Sequence, residues 1–152
     1  MPSQTVVAPF TDAELAAWRG FLRTHAALVK ELDADLEAQH QLPLSSYDVL
    51  TTLADQTEGR MRMRDLADAV VLSRSGLTRL VDRLQREGLI DREQCVSDAR
   101  GAYAVLTEEG RARLYEAQPL HRESVRRRFL SQFSAEQLQV LAACWERLAR
   151  SA

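Results

Sequence analysis

Four arginines, Arg74, Arg79, Arg83 and Arg86, sit within the run LSRSGLTRLVDRLQREGLI from Leu72 to Ile90, together with Ser73, Ser75 and Thr78. A guanidinium is planar, permanently charged, and able to grip a phosphate or the O6 and N7 of guanine through two parallel hydrogen bonds. The apolar residues of the run, Leu77, Leu80, Val81 and Leu84, stand at i, i+3, i+4 and i+7. An α-helix would bury all four in one stripe and turn the arginines to the opposite face. Hydroxyls and free backbone amides near such a helix start add short anion donors, and Gly76 removes a side chain from the first turn. The chemistry of this face is anion recognition, and a nucleic-acid duplex is the polyanion it matches. A solvated charged surface, or an acidic protein partner, would use the same residue types.

The rest of the chain carries little competing chemistry. Cys95 and Cys144 are isolated, without a CxxC pair, so neither a disulfide framework nor a zinc knuckle is expected. Cys95 reads as a packing or surface residue. His25, His40 and His121 share no metal-type spacing. No nucleophile motif, phosphate loop or paired-carboxylate arrangement is present, so the reading is of a protein that binds and does not catalyse, with no cofactor or metal. Asp33, Asp35 and Glu37 alternate around a helix and read as solvated charge. Trp18, Phe21 and His25 lie on one side of the first predicted helix. They read first as packing residues, and second as an aromatic and polar wall able to hold a planar anion.

The elements that must position these residues follow from caps and periods. Phe10-Thr11-Asp12-Ala13-Glu14-Leu15 combines a capping box with an apolar staple and starts a helix near Asp12. Leu15, Trp18, Leu22, His25, Val29, Leu32 and Leu36 repeat along it at spacings of three and four, the period of a helix-packing seam. It should end before Leu42-Pro43. Ser45 is the expected cap of a second helix reaching toward Gly59. Met63, Leu66, Ala67 and Val70 give a short third stripe, followed by a break at Val71-Leu72 and the arginine-bearing helix from Ser73. Two short amphipathic helices around a tight turn are a helix-turn-helix pattern. Gly88 stands where a C-capping glycine belongs. Ile90 to Val96 and Tyr103 to Leu106 flank SDARGA and predict a β-hairpin. Thr107 opens a helix toward Phe129, with a kink expected at Pro119. Ser134 caps a last helix whose Leu138, Leu141, Trp145 and Leu148 again follow three-four spacing.

This order predicts a mainly α fold with a small β-hairpin wing: a winged helix-turn-helix between terminal helices. The length, 152 residues with 45% hydrophobic content, suits one domain. Net charge is −2 overall, yet it is unevenly spread. Residues 1–59 carry three basic and nine acidic side chains, whereas residues 60–103 carry nine and seven, so a positive lobe sits on an acidic body. No run approaches the length needed to cross a bilayer, and the expected location is cytoplasmic.

The run from Arg64 to Ile90, SDAR at Ser97 to Arg100, and AVLTEEG from Ala104 to Gly110 together resemble the MarR family of bacterial transcription regulators, over about residues 11–150. The resemblance implies a homodimer built from helices at 11–40 and 108–150, with residues 45–107 as a winged DNA-binding lobe. It implies a repressor that docks on a palindromic operator in double-stranded DNA and is released by a small phenolic or anionic effector, or by oxidation. On it, Ser73, Arg74, Ser75, Gly76, Thr78, Arg79 and Arg83 serve the recognition helix. Arg100 becomes the wing-tip contact, and Asp98 is expected to orient it or a recognition-helix arginine. Gly101 and Ala102 follow Arg100 where the family often has further arginine, which thins the expected minor-groove contact. The reactive thiol of oxidant-sensing relatives, near the start of the first helix, has no counterpart here. A winged-helix module that binds protein and not DNA is the alternative reading.

Overall fold

A computed structural model describes residues 8–70, 72, 74–94 and 101–151, apart from the side chain of Arg74. Ser73, Cys95, Asp98 and Arg100, on which the sequence places expected roles, lie outside these residues.

Helix α1 spans Asp12–His40, and its start is the expected capping box. Thr11 Oγ1 accepts the Glu14 amide at 3.2 Å, while the Glu14 carboxylate accepts the Thr11 amide at 2.8 Å. Helix α2 spans Leu44–Ala54, two corrections to the sequence reading. Its N-cap residue is Pro43, so Ser45 lies inside the first turn, and the helix stops well short of Gly59. The capping acceptor comes from another helix: Asp33 of α1 takes the Leu44 amide at 2.8 Å. Asp33 and Asp35, expected to be solvated, are both engaged, Asp35 by side chains of a later helix.

A strand that the sequence reading missed follows, β1 at Arg60–Arg62, and runs straight into α3 at Met63–Ala69. Three residues are too few for alternation to register, and β1 exists because β3 lies beside it. Helix α4 covers Arg74–Arg86, β2 covers Ile90–Gln94 and β3 covers Ala102–Leu106. The expected two-stranded hairpin is thus part of a three-stranded antiparallel sheet in the order β1-β3-β2. Arg62 pairs with Tyr103 and Ile90 with Leu106 in its register.

Helix α5 runs unbroken from Glu108 to Arg128 through Pro119, and a 3-10 turn at Leu130–Gln132 leads to α6 at Ala135–Ala149. One core holds the lobe together, made from Leu50 and Leu53 of α2, Leu66 of α3, Leu77 and Leu84 of α4, Ile90 of β2 and Leu114 of α5. The terminal helices behave differently. Among the 29 residues of α1 only Leu36 is buried, and α6 buries none. The predicted seams therefore stand open in the single chain, with Trp18 53% and Leu148 60% exposed. No described helix is long and apolar enough to cross a membrane.

Candidate nucleic-acid interface

Leu77, Leu80, Val81 and Leu84 are all buried against the lobe core, which fixes the rotation of α4 about its axis. Ser75, Thr78, Arg79 and Arg86 consequently lie on its exposed side. The helix ends in a Schellman motif: the Gly88 amide reaches the Gln85 carbonyl and the Leu89 amide the Leu84 carbonyl, at 3.0 and 2.9 Å. Gly88 has φ of 75°, a conformation other residues adopt only with strain.

The arginines of α4 divide by their bonds. Arg79 makes no hydrogen bond or ion pair among the described residues, so its guanidinium is available to a ligand. Arg86 donates Nε to the Asp82 carbonyl of its own helix at 3.3 Å. Arg83 donates Nη2 to Ser46 Oγ of α2 at 2.7 Å, and Ser46 is only 1% exposed. Its Nε also lies 3.9 Å from Glu87. Arg83, expected to face DNA, is thus first a tie between α4 and α2. A groove of about 260 Å³ separates the start of α2 from α4, lined by Ser45, Leu72, Gly76, Arg79, Leu80 and Arg83. Gly76 presents no side chain to it, as the sequence suggested.

Two arginine arrangements around the sheet escaped the sequence reading. Arg92 of β2 bonds Asp82 at 2.6 Å and also donates to the Thr78 carbonyl at 3.4 Å, joining sheet to α4. On the outer sheet face, Arg60 lies over the Tyr103 ring at 4.3 Å and pairs with Glu93 at 3.2 Å. Arg62 donates Nε to the Tyr103 hydroxyl at 3.3 Å. The available signal was strand parity: with Ile90 inward, period two also turns Arg92 inward, where a charge requires a partner.

The aromatic candidates of α1 form a ladder. Ring centroids of Trp18 and Phe21, and of Phe21 and His25, are each 6.2 Å apart, and Phe21 continues to Trp145 of α6 at 5.6 Å. One turn beyond His25, a cavity of about 370 Å³ opens between α1 and the lobe. Val29 and Lys30 of α1, Leu44 and Asp48 of α2, and Val70 and Leu72 beside α4 line it. Among the described residues no three His, Cys, Asp or Glu side chains converge to hold a metal.

An exposed arginine-bearing helix, preceded by a short helix and followed by a β-sheet wing, defines a winged helix-turn-helix protein. The MarR family profile matches residues 42–101. The homoprotocatechuate degradative operon repressor of Escherichia coli is 33% identical over 103 residues, 68% of either chain. AbsC, a MarR family transcriptional regulator from Streptomyces coelicolor, is 36% identical in sequence. It superposes with a TM-score of 0.88 over 95% of this chain and 97% of its own. A second MarR regulator from that organism, solved in complex with DNA, is 32% identical with a TM-score of 0.90, over 95% and 91% of the two chains. The chain belongs to the MarR family of transcriptional regulators.

Proposed function

We propose that the protein is a homodimeric repressor whose two α4 helices enter successive major grooves of a palindromic operator, and that a small phenolic or anionic effector releases it. The observation that carries this reading is the orientation of α4: four buried apolar residues hold its hydroxyl and arginine face outward from a rigid lobe. In that role Ser73, Arg74, Ser75, Thr78 and Arg79 meet base edges and phosphates, and Gly76 allows close approach. Arg100 serves as the wing-tip contact, and Asp98 orients it or an arginine of α4.

Dimerisation uses residues 11–40 and 108–150, because the α1 and α6 seams are apolar, regularly spaced and uncovered in one chain. Two-fold symmetry then sets the half-sites roughly 34–36 Å apart. Residues 45–107 form the DNA-binding lobe. The effector belongs against Trp18, Phe21 and His25 and in the cavity one turn further on at Val29, where Lys30 offers a cation. A ligand there touches both the dimer helices and the residue pair leading into α4, and it shifts DNA affinity by preferring one arrangement of the two. The E. coli relative is by name a repressor of a degradative operon, and the DNA-bound relative shares the whole fold. The protein acts in the cytoplasm, by binding and without catalysis.

Selection of bound duplexes from a random pool at fixed salt tests the reading. A palindromic consensus with half-sites one DNA turn apart is expected, with affinity falling steeply as salt rises. Failure to enrich any sequence refutes it.

A further inference from the structure

We propose that Arg92 is a positioning residue that locks the wing strands to the recognition helix, so that the two parts of the DNA contact act as one body. The inference rests on the DNA-binding reading above.

On β2 the alternation is plain: Ile90 is fully buried, Asp91 and Glu93 are exposed, and Glu93 pairs outward with Arg60. Arg92 therefore occupies an inward position, where a charge requires a partner. Directly across the ladder stands Ala104, itself fully buried, whose single methyl leaves room for a long neighbour. The guanidinium emerges against α4. There it meets the Asp82 carboxylate at 2.6 Å and the Thr78 carbonyl at 3.4 Å, groups one helical turn apart on the same face. Arg92 Nε is buried without a hydrogen-bond partner, and one nitrogen, Nη2, makes both contacts with α4.

Two consequences follow for DNA. Thr78 and Arg79 belong to the exposed surface of α4, and Arg92 holds the backbone at that turn from behind. Asp82 would otherwise place an unpaired negative charge on a helix that must approach phosphates, and Arg92 neutralises it. The opposite flank of α4 is held in the same manner by Arg83 on Ser46. Removing Arg92 frees the wing from α4 on one side only, which leaves the core intact.

The test uses the full chain and the duplex recovered by selection, with affinity measured by anisotropy across a salt series and folding followed by thermal melting. Arg92→Met should weaken binding about tenfold in the native background and less than about threefold in an Asp82→Asn background, because contacting residues couple non-additively. The slope of affinity against salt should stay unchanged. Arg100→Ala should cost less affinity in the Arg92→Met protein than in the native one, since a wing no longer held contributes less. Equal losses in both Asp82 backgrounds, or a salt slope reduced by about one, would overturn the proposal. A native protein that binds no selected duplex refutes the DNA-binding reading itself, and so is distinguishable.

Discussion

The Ser124 hydroxyl of α5 donates to the Asp35 carboxylate of α1 at 2.6 Å, across 89 positions of sequence. Arg128 closes on the same carboxylate at 2.9 Å and reaches Glu31 at 3.0 Å, so the C-terminal third of α1 is clasped to the C-terminal end of α5. The Ser124 hydrogen bond, then Arg128, holds the Asp35 carboxyl below the usual aspartate range. A depressed folded value means the contribution is present above the ordinary value of 3.8 and is lost as pH falls through the folded one. Ser124→Ala should lower stability by about 1–2 kcal/mol at neutral pH. Asp35→Asn should flatten the melting temperature between about pH 5 and pH 3, which a pH series of thermal melts will show.

His121 of α5 stacks on Tyr47 of α2 with centroids 4.3 Å apart, and its Nδ1 is buried without a partner. Burial depresses its pKa below the ordinary 6.5, so the unfolded chain takes up a proton before the folded chain does. The stability of the α2 and α5 contact is complete above that pH and declines as pH falls through the depressed value. A fall in melting temperature on acidification toward pH 5.5, abolished in His121→Phe, is the expected result; an unchanged fall in that variant would exclude His121 as its source.

Arg79 and Arg83 differ in partners and should differ in phenotype. Arg79→Ala removes an exposed group and should cost about 1–3 kcal/mol in operator affinity with no change in melting temperature. Arg83→Ala strands the buried Ser46 hydroxyl and should lower folding stability by about 1–3 kcal/mol as well. Melting and binding curves on both proteins separate the two effects.

Gly110 in the first turn of α5 sits where a Cβ would fall on the Leu89 carbonyl oxygen and crowd Leu106 Cδ1 at 2.8 Å. Gly110→Ala should destabilise the chain by at least about 2 kcal/mol, because a backbone carbonyl cannot step aside as a flexible side chain can. A denaturant titration showing wild-type stability would contradict the packing described.

Helix α4 was legible in the sequence because its signals are local. The apolar stripe of Leu77 to Leu84 fixes its rotation, and Gly88 fixes its end, without reference to anything distant. The same holds for the Thr11 and Ser134 caps, both of which form as expected. Ser45 failed as a cap for the opposite reason: the α2 amide is satisfied by Asp33, eleven residues upstream on another helix. Strand β1 was missed because three residues carry no period and gain their identity only from pairing with β3.

The sequence by itself determined the order of the helices, the side of α4 that faces outward, and the basic character of that side. Each of these follows from covalent spacing, which sets angles around a helix whatever the chain packs against. Only the tertiary structure decided which arginines of that surface remain available and which are used to hold it. Arg83 and Arg92 find Ser46 and Asp82 through space, and a hydrogen bond depends on distance in three dimensions, which spacing along the chain does not specify.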